Sequence, residues 1–277
     1  MDARGTVGLL AGGGRLPELL AQAVRARGRR LVCVQMSGES PLLPGLADVF
    51  AHLAPGEWAQ LFALWEQHGV HEVLVAGRFS RADVPVHLSA GDPVVRAFLG
   101  QLHDRRDHHF LSAFAGLLEQ RGMRVADQLA YVGDLVPPPG LLAGPPLSED
   151  ERRDVDLGIG VARTLAGQDV GQPLVLKRGC ILAVEAAEGT DATIRRGGEL
   201  AAGVVVVKVS RPDQDPRFDV PTIGPDTIEV MGAVRARVLA IEAGRTIVLD
   251  RATLVPLAEG AGISLVAVEA PPLRHGA

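Results

Sequence analysis

Aromatic side chains are scarce: one Tyr, two Trp and seven Phe make up 4% of the 277 residues. Proteins that hold single-stranded nucleic acid stack bases on exposed rings, so this shortage argues against that class. Basic charge is not in excess either. The formal net charge of −5 has the wrong sign for gripping a phosphate backbone, and no nucleic-acid partner is expected. Cysteine is limited to Cys33 and Cys180, both in apolar strand-like runs. Two buried thiols are expected rather than a disulfide, the pattern of a reducing compartment. No run of about 18 apolar residues occurs, which excludes a membrane-spanning helix. The opening MDARGTVGLLAGGG also lacks the apolar core of a secretion signal. A cytoplasmic protein is expected, with peripheral contact at the inner membrane left open. Catalytic signatures are missing too: there is no HExxH zinc helix, no G-x-S-x-G elbow and no GK[ST] triplet.

What is present is enough for packed cores. Hydrophobic residues make up 47% of the chain and charged residues 22%, a balance that argues against disorder and leaves room for two domains. The first half alternates strand-like and helix-like segments. Strands are expected at 6–11, 31–35 and 73–76. Helices are expected near 16–27, 56–68, 93–102 and 107–120. This rhythm predicts an N-terminal Rossmann-like parallel α/β domain at 1–136. VPPPGLLAGPP at 136–146 reads as unable to carry a helix or strand, so a linker is placed at 137–147. Ser148 and Glu151 then form a capping-box pattern that opens a C-terminal mixed α/β domain at 148–277. There Arg178-Gly179 reads as a hairpin turn between strands at 174–177 and 181–185.

Three stretches carry candidate chemistry. AVEAAEGTDATIRR at 183–196 puts Glu185, Glu188 and Asp191 around a Gly-Thr turn, with Arg195 and Arg196 close behind. Alone, Glu185 is read as solvated and Asp191 as an N-cap for a helix at 192–196. Together, three acids in seven residues need neutralising charge, which suits a hard cation and its phosphate substrate. KVSRPDQDPRFDVPTIG at 208–224 sets Lys208 at the end of a Val-rich strand. It also sets Asp219 between apolar neighbours and Pro221, a placement that suits a metal ligand or a base. The turn Gly12, Gly13, Gly14 is read as a nucleotide- or phosphate-contacting loop at a helix start. Pro17 and the strand-end Gln35 disfavour a dehydrogenase site.

These segments resemble the LpxI-type UDP-2,3-diacylglucosamine pyrophosphatases of the lipid A pathway. The resemblance is carried by GLLAGGGRLPELLAQA at 8–23, GEWAQL at 56–61 and AGRFSR at 76–81. It continues in DVGQPLVLKRGCILAVEAAEGTDATIRR at 169–196 and FDVPTIGPDTI at 218–228. It implies a Mg²⁺-dependent hydrolase (Mn²⁺ is the other oxygen-seeking cation) that cleaves the pyrophosphate of a lipid-linked UDP-sugar. The products would be UMP and 2,3-diacylglucosamine 1-phosphate. Asp219, Asp191 and Glu188 are the implied catalytic residues, with Asp219 and Asp191 at the metal. The implied substrate contacts are Gly12, Gly13, Gly14, Thr190, Arg195, Lys208, Thr222, Arg81 and Asp107. An apolar cavity between the domains is expected for the acyl chains. The pattern departs at 106–112, where Asp107 is kept but the family's second acid is His108 and its arginine is Ser112. The alternatives are a hydrolase of another nucleotide-sugar and a non-catalytic nucleotide-sugar-binding protein. A homodimer is left open.

Overall fold

A computed structural model describes residues 5–79, 91–102, 107–212, 214–218 and 220–269, with the side chains at 107 and 108 excepted. Two compact units emerge: Met1–Gly133 with Asp215–Asp219, and Asp134–Gln214 with Val220–Ala277.

In the first unit, β1 (Thr6–Ala11), β2 (Arg30–Gln35), β3 (Val49–His52), β4 (Val70–Ala76) and β5 (Arg124–Val125) form one sheet. Its order is β3-β2-β1-β4-β5, and all its pairings are parallel. The order is that of a Rossmann half, as the strand–helix alternation predicts. Central strands are buried almost throughout because helices cover both faces, so they read as continuous apolar runs. The helices are α1 (Arg15–Ala26), α2 (Leu43–Leu46), α3 (Trp58–Gln67), α4 (Pro93–Gln101), α5 (Asp107–Gln120) and α6 (Leu129–Val132). The few aromatics are concentrated here. Trp58 lies 4.9 Å from Phe98 and 5.1 Å from Phe114, ring centre to ring centre. Phe218, from far along the chain, is buried in the same core. Short elements such as α2, β3 and β5 were not legible in the periodicity, being too short to show a repeat.

The second unit centres on a six-stranded sheet of order β6-β13-β11-β9-β7-β8. These are β6 (Gly140–Ala143), β7 (Pro173–Lys177), β8 (Cys180–Val184), β9 (Val205–Lys208), β11 (Val238–Glu242) and β13 (Ser264–Val268). A small parallel pair, β10 (Thr222–Ile223) with β12 (Ile247–Val248), lies apart from this sheet. One face packs on α7 (Glu149–Gly167): Val155, Ile159 and Ala162 meet Val205, Val207 and Val209. The other face packs on α8 (Thr190–Leu200), α9 (Pro225–Ala233) and α10 (Arg251–Gly260), through residues that include Ile194, Ile228 and Leu254 against Val204 and Val206. Alternation along β9 divides its residues between these cores.

Four expectations change. The segment placed in a linker contains β6, paired antiparallel with β13. The prolines flank it rather than interrupt it, and an edge strand needs partners on one side only. The helix expected at 192–196 runs to Leu200. Gly197 and Gly198 let α8 lie against Val175 and Val234, where an added Cβ would come within 2.5 Å of Val175 and 2.4 Å of Val234. Cys180 is exposed while Cys33 is buried, because β8 is an edge strand whose first residue faces solvent. Glu185 is buried rather than solvated.

The hairpin and the capping box are present. Arg178 and Gly179 have φ of 48° and 74°, the double left-handed conformation of a tight hairpin turn. Ser148 Oγ accepts from the Glu151 amide while Glu151 accepts from the Ser148 amide.

Candidate active site

The carboxyl ends of β8, β9 and β11 share one edge of the second sheet, because β8 and β9 are each antiparallel to β7 and β9 is parallel to β11. Ligands of open α/β sheets bind outside such an edge. Lys208 is the last residue of β9 and is 9% exposed. Its side chain projects to the face covered by α8. The ammonium donates to Thr190 Oγ1 at 3.4 Å and to the Thr222 carbonyl at 2.9 Å. Thr190 opens α8, and its hydroxyl donates to Glu185 Oε1 at 3.1 Å. The other Glu185 oxygen accepts from the Gln172 amide at 2.9 Å, where the chain enters β7. Thr222 spends its own hydroxyl proton on the Val220 carbonyl. Strand end, helix start and the β10 entry thus converge on one charged, partly desolvated group. A buried ammonium at a strand end is suited to receive an anion brought to it.

The acids beside Thr190 divide. Glu188 accepts from the Ala186 amide, from Thr193 Oγ1 and from Arg196 at 2.5 Å. Its own amide and Arg196 hold this carboxyl below the ordinary glutamate range. These bonds tie Glu188 to the start of α8. Arg196, which also donates to the Val184 carbonyl, is the arginine that binds it. Arg195 is exposed on the neighbouring helix position. Asp191 is half-buried in the first turn of α8, and the N-cap is Gly189 rather than Asp191. No described residue bonds to the Asp191 carboxylate. Among the described residues no group of three or more His, Cys, Asp or Glu gathers as a metal cluster. Mg²⁺ needs only one or two carboxylates beside waters and phosphate oxygens, so a lone oxygen donor such as Asp191 fits that ion. Asp219 and Arg81 lie outside the described residues, and so does the side chain of Asp107, whose backbone opens α5.

The glycine turn in the first unit is held by backbone contacts within that unit. It lies at the switch point between β1 and β4, where a dinucleotide fold opens its crevice. Here the Gly12 amide donates to Ala76, the Gly13 amide to Arg78, and the Gly14 amide to Glu39, at 2.8–3.0 Å. An added Cβ on Gly12 would come within 2.5 Å of the Arg78 carbonyl, and one on Gly38 within 2.6 Å of Gly13. The glycines allow three backbone segments to meet, and none of these amides remains for a phosphate. Glu18, 5% exposed in the first turn of α1, accepts from the Leu42 amide and from Arg15. A carboxylate already stands where the helix dipole would draw an anion.

Sequence reasoning underestimated Glu185. The available signal was its position directly after an apolar strand and before a Gly-Thr helix start, where a buried acid links strand to helix.

Residues 6–135 match the LpxI N-terminal domain and residues 138–266 match the LpxI C-terminal domain. The chain is 32% identical over 280 aligned positions to the UDP-2,3-diacylglucosamine pyrophosphatase LpxI of Caulobacter vibrioides, covering 95% of this chain and 97% of the relative. With both family domains matched in order and a relative this similar along nearly its whole length, the chain belongs to the LpxI family.

Proposed function

We propose that this protein hydrolyses the pyrophosphate of UDP-2,3-diacylglucosamine, releasing UMP and 2,3-diacylglucosamine 1-phosphate. The observation that carries the reading is the end-to-end similarity to a relative that bears that activity in its name. One water adds across a P–O–P bridge, so one phosphate leaves with the uridine and the other with the sugar. The chain's own part is to neutralise and position. Lys208 receives a phosphoryl oxygen, and the α8 N-terminus adds its dipole to the same charge. Thr190 and Thr222 hold the ammonium in place between turnovers. Asp191 and Asp219 would hold Mg²⁺ or Mn²⁺, which when bound supplies charge neutralisation at the phosphoryl oxygens.

The reading places the protein in the cytoplasm with peripheral access to the inner membrane, where a diacylated substrate partitions. No helix among the described residues is long and apolar enough to cross a membrane. The test is UMP release from UDP-2,3-diacylglucosamine with and without Mg²⁺. Wild type turns over, Asp219→Ala loses activity by roughly 10²–10⁴-fold, and Lys208→Met by roughly 10²–10³-fold. Turnover of Asp219→Ala near wild type removes the assigned role of that residue.

A second reading, hydrolysis of a different UDP-sugar, is favoured by His108 and Ser112, where the family pattern departs. Profiling UMP release across UDP-sugars with and without acyl chains separates the two.

A further inference from the structure

At the carboxyl edge of the second sheet, Glu185 is a buried acid that the proposed reaction does not use. Glu185 is 8% exposed, and both of its oxygens are engaged: Oε2 by the Gln172 amide at 2.9 Å and Oε1 by the Thr190 hydroxyl at 3.1 Å. A buried carboxylate costs several kcal/mol unless its charge is answered. A hydrogen-bonded route to a positive charge runs through Thr190, whose oxygen also meets the Lys208 ammonium at 3.4 Å.

Hydrogen-bond chemistry orders this chain without ambiguity. An ammonium only donates and an ionised carboxylate only accepts, while a threonine hydroxyl has one proton to give. The proton of Thr190 must therefore lie on the Glu185 side, and its lone pairs must face Lys208. We propose that Glu185 is a positioning residue acting through Thr190. It takes the only proton of Thr190, turns that oxygen into a fixed acceptor, and so holds the Lys208 ammonium at the carboxyl edge of β9. Polarisation along carboxylate, hydroxyl and ammonium strengthens each bond in the chain. The Gln172 bond gives the carboxylate its own anchor, so its orientation does not depend on Thr190. This role rests on reading the edge as the hydrolytic site.

Glu185→Gln tests it with little change of shape. The amide oxygen can keep the Gln172 bond, which leaves the amide NH₂ facing Thr190. The threonine proton then loses its acceptor, and Lys208 loses an oriented one. Thr190→Val removes the relay at its centre. In the UMP-release assay each single variant lowers kcat by roughly ten- to hundredfold, the effect of one hydrogen bond to a charged group, with a smaller change in KM. The double variant falls no further than Thr190→Val alone, because Glu185 has nothing left to act through.

Wild-type kcat in Glu185→Gln, or single effects that multiply in the double variant, overturns the proposal. If Glu185→Gln does not fold, Glu185→Asp keeps the charge but withdraws it from Thr190, and the same non-additivity decides. If wild type releases no UMP, the proposed reaction has failed instead. Calorimetric binding of inorganic pyrophosphate then tests the relay independently. Weaker binding in Glu185→Gln that is not additive with Thr190→Val supports the relay, and unchanged binding overturns it.

Discussion

Single residues here differ most through burial. Burial pushes the Cys33 thiol up to about 12, whereas Cys180 is exposed on an edge strand. Only the thiolate reacts, so iodoacetamide at pH 8 should label Cys180 alone in the native protein, and both cysteines in denaturant, as read by peptide mass. Labelling of Cys33 at the native rate of Cys180 would contradict its packing in β2. Glu72 offers a second test. Burial works against its charge, but bonds from Tyr131 and Arg29 and the charges of Arg29 and Arg124 outweigh this and lower its carboxyl from the ordinary 4.5. A lowered carboxyl contributes stability above its unfolded value and loses it as pH falls through the folded one. Glu72→Gln should therefore cost about 1–3 kcal/mol in urea unfolding at pH 7. The gap to wild type should narrow as pH drops below about 4.5. A gap independent of pH would mean that shape, not charge, is what Glu72 contributes.

Among the elements, the β7–β8 hairpin shows how local and distant signals combine. Arg178-Gly179 announces a turn in the sequence, yet the turn is held from α7: the two oxygens of Asp154 accept from the Arg178 and Gly179 amides, each at 2.7 Å. Asp154→Ala should lower stability by roughly 1.5–3 kcal/mol, the range for a hydrogen bond to a charged group. Asp154→Asn should fall between, since its NH₂ meets an amide donor. Equal denaturation midpoints for wild type and Asp154→Ala would dismiss the clamp. Long periodic elements were legible beforehand: α3 through Trp58, Leu61, Phe62 and Trp65, and α7 through its capping box. The strand β6 was not, because prolines on both sides hide four residues able to pair at an edge. Nor was the length of α8, because a helical Gly-Gly reads as a stop until a neighbouring strand and helix are seen to need the space.

For the whole molecule, the two units do not divide the chain at one point. Residues 215–218 belong with the first unit although they follow β9 of the second. Phe218, 3% exposed, is buried in the core that contains Trp58, Phe98 and Phe114. The Gln128 amide donates to the Pro216 carbonyl, and Gln128 Nε2 donates to the Arg217 carbonyl. Phe218→Ala should cost about 3–5 kcal/mol as a core truncation. Hydrogen exchange should rise in peptides covering α3 and α4, with the second sheet little changed. Unchanged exchange in those first-unit helices would show that Phe218 is not part of their core. The FDVPTIG stretch thus carries structural weight in its phenylalanine, separate from the role proposed for the aspartate beside it.

By itself the sequence determined the class of each half, the hairpin, the capping box and the family, because periodicity, turn chemistry and contiguous motifs are local properties. It also placed Lys208, Thr190 and Thr222 among the site candidates, each from its own segment. Only the tertiary structure joined them. Glu185 and Lys208 approach the same hydroxyl because β7 runs antiparallel between β8 and β9, a strand order that no local pattern encodes. The same applies to Gly12, Gly13 and Gly14. Their sequence suits a phosphate, yet their amides go to Ala76, Arg78 and Glu39, partners that only the packing of β1 between β4 and β2 supplies.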